Sequence, residues 1–162
     1  MRVGVVNAGG WGTALAVKLA NQGHAVSLGA RRPEQAQQLL ADRENRAYLP
    51  GVPIPPTVKI TSDIEQALLG ADAVVLAVIA GFMSDICREL RPLIGPETLL
   101  AHGTKGLAPT GYARPSEVIR EALGEKIGSR VGVLAGPNHA EEVARELPAA
   151  AVIACEDPDR GA

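Results

Sequence analysis

The chain has 162 residues, a length typical of one domain, with 46% hydrophobic residues, 21% charged residues and a net charge of −2. These values exclude a disordered tail and a strongly basic surface for nucleic acid. The aromatic residues, Trp11, Tyr48, Phe82 and Tyr112, are too few for a platform on which bases stack. The longest apolar run, 73–83, is too short to cross a bilayer, which needs about 20 residues. We therefore expect no nucleic-acid partner and no membrane insertion.

The cysteines and histidines do not predict a metal site. Cys87 and Cys155 are far apart, and His24, His102 and His139 are scattered along the chain without the spacing of metal ligands. The N-terminus shows no signal-peptide pattern. Two separated cysteines then favour a reducing, cytoplasmic location.

Apolar stretches alternate with stretches of helical period along the chain. In chain order, the strands are predicted at 3–6, 25–28, 58–60, 73–78, 98–101, 131–134 and 149–154. Helices are predicted at 11–22, 33–41, from 62 or 63 to about 70, 82–90, 116–123 and 138–145, with loops at 42–57 and 102–114. This alternation predicts an α/β fold with a doubly wound, mostly parallel sheet of the Rossmann type. We expect this domain to span residues 1–155, followed by a frayed tail at 156–162.

The first strand leads into a glycine-rich turn and then a helix. Gly9 and Gly12 fit a dinucleotide-binding fingerprint in which Asn7 replaces the first glycine. Asn tolerates a left-handed conformation better than other non-glycine residues, so the turn survives. Gly9 would let the backbone approach a pyrophosphate, which the free N–H groups at the helix start would bind, and Gly12 would let helix and strand pack closely. A tight turn with no ligand is the alternative.

Arg31 and Arg32 follow the second strand, where an NAD site usually has an acidic residue that binds the ribose. Two guanidinium groups can hold a 2′-phosphate through forked hydrogen bonds. The sequence therefore predicts NADP as the cofactor, with NAD as the second choice. Two solvated arginines at the start of a helix are the alternative.

Two further segments follow strands and should lie at the same edge of the sheet. Lys105 lies between glycines and can direct its ammonium group at a carbonyl oxygen or a phosphate, although spacing alone favours a surface lysine. Asn138 fits a helix N-cap, and the same geometry would bind an anion or a hydroxyl. His139 is a candidate proton donor, or a partly exposed residue of the first helical turn.

Five motifs together resemble the NAD(P)-dependent glycerol-3-phosphate dehydrogenases of bacteria. They are the cofactor loop at 10–16, Arg43-Glu-Asn45, the proline-rich loop at 48–56, Thr104-Lys-Gly-Leu107, and Gly136-Pro137 with Ala140-Glu-Glu-Val-Ala144. They occur in the right order and spacing over nearly the whole chain. The resemblance implies reversible hydride transfer between NAD(P)H and dihydroxyacetone phosphate, which forms glycerol 3-phosphate for phospholipid synthesis.

The resemblance also implies roles for individual residues. The cofactor-binding residues, with the glycine turn included, would be Gly9, Gly10, Trp11, Gly12, Arg31, Arg32, Tyr48, Lys105 and Ala140. Lys105 would be catalytic, between cofactor and substrate, and Gly136 and Asn138 would touch the substrate.

The family has a second, helical domain to which nothing in this chain corresponds, so we expect the 162 residues alone to be inactive. A homodimer is compatible with the resemblance. Two alternatives stay open. A related 3-hydroxyacid or ketopantoate-type reductase is disfavoured by the proline-rich loop and by the Thr104-Lys-Gly motif. A non-catalytic dinucleotide-binding module is favoured by the missing second domain and mildly disfavoured by Lys105.

Overall fold

The computed structural model describes residues 1–157. The strands are β1 (Arg2–Val6), β2 (Ala25–Gly29), β3 (Glu44–Asn45), β4 (Leu49–Pro53), β5 (Lys59–Thr61), β6 (Ala73–Leu76), β7 (Leu99–His102), β8 (Val131–Ala135) and β9 (Val152–Ala154). The helices are α1 (Gly10–Asn21), α2 (Pro33–Asp42), α3 (Ile64–Leu68), α4 (Met83–Leu90), α5 (Pro115–Leu123), α6 (Glu125–Gly128) and α7 (Ala140–Ala144), and a 3₁₀ turn at Ala80–Phe82 precedes α4.

Seven of the strands within residues 1–157 form one sheet in the order β5-β2-β1-β6-β7-β8-β9. The pairs from β5 to β8 are parallel, and β9 runs antiparallel to β8. The order reverses between β1 and β6, which creates a crevice at the carboxyl ends of these strands, the usual ligand-binding place in such sheets. The predicted doubly wound, mostly parallel fold is confirmed.

Apolar residues on the two faces of the sheet form two cores. In β1, Val5 belongs to the core under α1 and α2, whereas the adjacent Val6 belongs to the core under α4 and α5. This alternation follows from the two-residue period of a strand and explains why a doubly covered strand is apolar at every position. Because a core packs against each face, the sheet is held on both sides. The positions of the loops at its carboxyl edge are fixed as a result.

Helix α1 faces the sheet with its small residues. Trp11, Leu15 and Leu19 share one face of the helix at four-residue spacing, but these side chains are only partly buried. The buried residues are small and include Ala14 and Ala16. Small residues allow the helix to approach the sheet closely, so volume rather than apolar spacing decides which side faces inward.

The proline-rich stretch, for which an ordered loop or a short excursion was expected, forms an antiparallel hairpin of β3 and β4. The short helix α6 was not predicted from the sequence. In the expected tail, Glu156 pairs with Arg120 and Asp157 with Arg130. The other residues of the tail lie outside the described part, and the proposed domain boundary at 155 stays a prediction. No helix in residues 1–157 has the length and apolarity needed to cross a membrane.

Candidate functional site

The turn between β1 and α1 has the conformation that the glycine-rich pattern predicted. Asn7 has a left-handed backbone, with φ of 82°, and its Nδ2 donates a hydrogen bond to the main-chain oxygen of Ala77 at 2.9 Å. Gly9 then caps α1 without any side-chain hydrogen bond to the first turn. The amide groups at the start of this twelve-residue helix have no helical acceptors and carry the positive end of its dipole. The turn is therefore built to accept an anion.

The glycines of this turn have different surroundings. A Cβ at Gly12 would collide with the main-chain oxygen of Asn7, and one at Gly10 would lie 2.6 Å from the main-chain oxygen of Tyr48. At Gly9 the same atom would meet only the Nδ2 of Asn7, at an ordinary 3.5 Å. Gly12 and Gly10 therefore serve close packing, whereas Gly9 leaves the backbone open on the side from which a ligand would approach.

The β3–β4 hairpin is tied to the glycine turn by Asn45. This side chain is 3% exposed, and its Nδ2 donates to the main-chain oxygen of Ala8 at 3.0 Å and to the Oγ1 of Thr13 at 2.8 Å. Gln35 donates a second hydrogen bond to the same Ala8 oxygen. The hairpin thereby holds Tyr48, whose side chain is 55% exposed, beside the start of α1. Asn45 was predicted only as part of a motif, because nothing in the sequence shows that its side chain is buried.

A cleft of about 420 Å³ opens where β1, β2 and β6 end. Arg31 lies on one wall, and its guanidinium carbon is 4.7 Å from the ring centroid of Phe82 on the opposite wall. Asp85 and Glu89 of α4 also line the cleft. Arg32 is the N-cap residue of α2 and is exposed. Phe82 was not predicted as a site residue, although an aromatic residue shortly after a central strand is a signal that could have indicated it.

Lys105 lies on the other side of the glycine turn. Its Nζ donates to the main-chain oxygen of Asn138 at 3.0 Å and lies 5.8 Å above the centroid of the Trp11 ring. Thr104 supports the loop by donating from its Oγ1 to the main-chain oxygen of Val78 at 2.7 Å. The predicted residues Lys105 and Trp11 are therefore in contact. Ala140 also belongs to this group, since its Cβ lies 3.9 Å from where a Cβ on Gly10 would be.

Asn138 does not cap a helix, so that interpretation was wrong. His139 is the N-cap residue of α7. Asn138 is 3% exposed, and its Nδ2 donates to the main-chain oxygen of Ala150 at 3.2 Å. Gly136 packs so closely against Ala150 that a Cβ would collide with its oxygen. The segment before α7 is thus fixed against the backbone of Ala150 by the side chain of Asn138.

The histidines differ sharply in their surroundings. His102 is 2% exposed, and burial lowers the pKa of its imidazole. Its Nδ1 accepts from the main-chain N–H of Thr104, and its Nε2 has no hydrogen-bond partner within residues 1–157. His139 is exposed, and its main-chain N–H donates to Glu142. No group of three His, Cys, Asp or Glu side chains in the described chain could hold a metal ion.

Comparison with known proteins identifies the family. Residues 2–160 match the family described as the N-terminus of NAD-dependent glycerol-3-phosphate dehydrogenase. The chain belongs to this family. Its curated relatives include a glycerol-3-phosphate dehydrogenase [NAD(P)+] of Deinococcus radiodurans, 46% identical over 95% of this chain and 44% of the relative. Another, from Syntrophomonas wolfei, is 39% identical over 94% of this chain and 45% of the relative.

Solved structures agree with this family assignment. The crystal structure of glycerol-3-phosphate dehydrogenase from Coxiella burnetii is similar, with a TM-score of 0.87 and 34% identity over 98% of this chain and 47% of that one. A ketopantoate reductase from Ralstonia eutropha has a TM-score of 0.65 and 23% identity, which shows a shared fold alone. The reductase alternative is therefore not favoured. The chain spans about half the length of the glycerol-3-phosphate dehydrogenases it matches.

Proposed function

We propose that this chain is the dinucleotide-binding part of a glycerol-3-phosphate dehydrogenase. The observation that carries the proposal is the turn at Asn7 and Gly9, which presents unpaired amides at the start of α1, directly at the crevice where the strand order reverses. A pyrophosphate carries the charge that this helix start favours. The domain comprises residues 1–155 and works in the cytoplasm, in keeping with the free thiols of Cys87 and Cys155.

The adenosine end of the cofactor would occupy the cleft beside Arg31, and the preferred cofactor is NADP. Arg31 lines the cleft, and Arg32 follows it at the start of α2. Their two positive charges suit a 2′-phosphate, since a guanidinium group binds phosphate through two parallel hydrogen bonds. Asp85 and Glu89 lie on the facing helix, so the arginines also offset an acidic wall that would otherwise repel the phosphate.

The nicotinamide end would reach the edge where Lys105 meets Trp11. The cofactor supplies the hydride, and this chain's residues bind and orient the reactants. Trp11 lies in the first turn of α1, with Tyr48 and Ala140 beside that turn, and the three would position the cofactor. Lys105 would place its positive charge beside the oxygen of dihydroxyacetone phosphate, where negative charge develops during reduction. Gly136 and Asn138 would border the substrate.

The test is a calorimetric titration of the chain with NADPH and with NADH. The wild type is expected to bind NADPH more tightly. The double variant Arg31→Ala/Arg32→Ala should weaken NADPH binding by roughly 1–3 kcal/mol, the value of lost charge-assisted hydrogen bonds, with little change for NADH. Arg91→Ala is the control, because Arg91 is an exposed arginine that does not line the cleft. Equal losses for both dinucleotides would refute the assigned role of the arginines.

A further inference from the structure

The ammonium group of Lys105 is held by two elements that are remote in sequence. Its Nζ donates to the main-chain oxygen of Asn138, 33 residues away, and lies over the ring of Trp11 at the start of α1. A lysine side chain on an exposed loop normally samples many rotamers, so a defined position requires direct contacts. The carbonyl provides a hydrogen bond, and the indole face provides a cation–π attraction.

The oxygen that accepts this hydrogen bond is itself fixed. Asn138 is almost fully buried, and its carboxamide is engaged with the main-chain oxygen of Ala150. Its own main-chain N–H donates to the oxygen of Gly136 at 3.0 Å. The backbone at Gly136 has no room for a side chain against Ala150. The side-chain amide of Asn138 is therefore used to bind Ala150. The main-chain oxygen of Asn138 accepts the hydrogen bond from Lys105.

We propose that Asn138 is a positioning residue for Lys105. Its side chain anchors the segment on Ala150, and its main-chain oxygen then fixes the Lys105 ammonium above Trp11. An ammonium group has three N–H donors, so two remain for an oxygen of the substrate or cofactor after one is given to Asn138. That this positioning serves catalysis rests on the proposed function, in which Lys105 contacts the substrate. The contact between Asn138 and Lys105 itself is present in the chain without ligand.

Nuclear magnetic resonance of the chain labelled with ¹³C at the lysine ε-carbons tests this proposal. The chain has four lysines, Lys18, Lys59, Lys105 and Lys126, and one tryptophan. Because Lys105 lies over an aromatic face, ring current should shift its ε-methylene protons upfield of the other three. Lys105→Arg assigns the signal, and Trp11→Leu should remove the shift.

Asn138→Ala is the decisive variant. The Lys105 signal should move towards the positions of the other lysines, whose signals should stay unchanged in a folded chain. If the alanine variant does not fold, Asn138→Ser is used, because its shorter side chain cannot span the distance to Ala150, and the same movement is expected. A Lys105 signal that keeps its wild-type position in the folded variant would overturn the proposal, as would an unshifted signal in the wild type.

The same spectra separate this proposal from the proposed function. NADPH added to the wild type should shift signals at the site. A wild type that fails to bind NADPH but keeps the Asn138-dependent shift of Lys105 would contradict the proposed function and support the anchoring. A wild type that binds NADPH, but whose Lys105 signal does not change in Asn138→Ala, would support the proposed function and contradict the anchoring.

Discussion

Asn7 joins the first strand to the first helix in a conformation that few side chains adopt. Its φ of 82° lies in the left-handed region, where a residue with a Cβ pays roughly 1–2 kcal/mol. Asn tolerates this region better than most residues, and here its side chain also gains a hydrogen bond to the oxygen of Ala77 at 2.9 Å. The residue thus replaces the backbone freedom of glycine and adds a link between the turn and the end of β6.

Substitution of Asn7 separates these two contributions. Asn7→Gly keeps the left-handed backbone and loses the hydrogen bond, so its free energy of unfolding should fall by about 1 kcal/mol. Asn7→Val loses the same bond and also strains the backbone, because a β-branched residue resists positive φ. We expect Asn7→Val to be less stable than Asn7→Gly by a further 1–2 kcal/mol, roughly. Urea denaturation measures both, and equal stabilities for Gly and Val would show that the turn does not need the left-handed conformation.

Among the secondary-structure elements, the β3–β4 hairpin matters most for the shape of the site. It is small, but Asn45 within it donates to both Ala8 and Thr13, on either side of the glycine turn. The main-chain oxygen of Tyr48 lies against Gly10 at the same place. Because these contacts are buried, the hairpin fixes the backbone whose amides would face the pyrophosphate. A proline-rich connection between α2 and β5 therefore becomes part of the binding site.

Asn45→Ala is expected to destabilise the fold by roughly 1–3 kcal/mol, since it leaves the buried hydroxyl of Thr13 without this partner. NADPH affinity should fall as well, because the glycine turn loses its support. Gln35→Ala is the matched control. Gln35 donates to the same Ala8 oxygen but is only half-buried on α2, so its loss should cost less. Thermal unfolding and NADPH titration measure both effects. A control as damaging as Asn45→Ala would contradict the role given to the hairpin.

The sequence predicted the elements of the sheet well because their signals are local. An apolar run such as β6 is covered on both faces, with Val74 and Leu76 buried and Ala73 and Val75 partly buried, and its composition alone identifies it. The hairpin gave no such signal, because prolines interrupt its strand pattern and its stability comes from distant partners. Likewise, nothing near β9 in sequence shows that it pairs antiparallel with β8. Pairing direction depends on where the chain turns back, which is a property of the whole sheet.

The candidate site was only partly predictable for the same reason. Glycines after a strand predict a backbone turn that binds pyrophosphate, and an arginine after a strand predicts phosphate binding. The residue types and positions of the glycine turn and of Arg31 were therefore enough to predict their roles. Asn138 was assigned as a cap because cap residues are recognised by type, whereas its real partner, Ala150, is twelve residues away. Phe82 and Asn45 were not singled out. Contacts between elements decide these roles, and a single sequence does not display them.

At the scale of the whole molecule, the carboxyl edge of the sheet presents three features side by side. The cleft with Arg31 and Phe82 lies at one end, the glycine turn in the middle, and Lys105 with Trp11 at the other. We proposed that an extended dinucleotide occupies this edge. The chain spans about half the length of the curated glycerol-3-phosphate dehydrogenases it matches. We expect binding of the substrate phosphate and proton transfer to need groups other than those at this edge.

We expect these residues to bind the cofactor without completing the reaction. Loss of general acid catalysis alone typically costs about 10²–10⁴-fold in rate, and loss of substrate positioning costs more. The most direct measurement follows NADPH absorbance when dihydroxyacetone phosphate is added to the purified chain at a saturating NADPH concentration established by titration. The account predicts bound NADPH and no consumption above background. Turnover at roughly 1–10³ per second, the ordinary range for enzymes, would show that these 162 residues hold a complete active site.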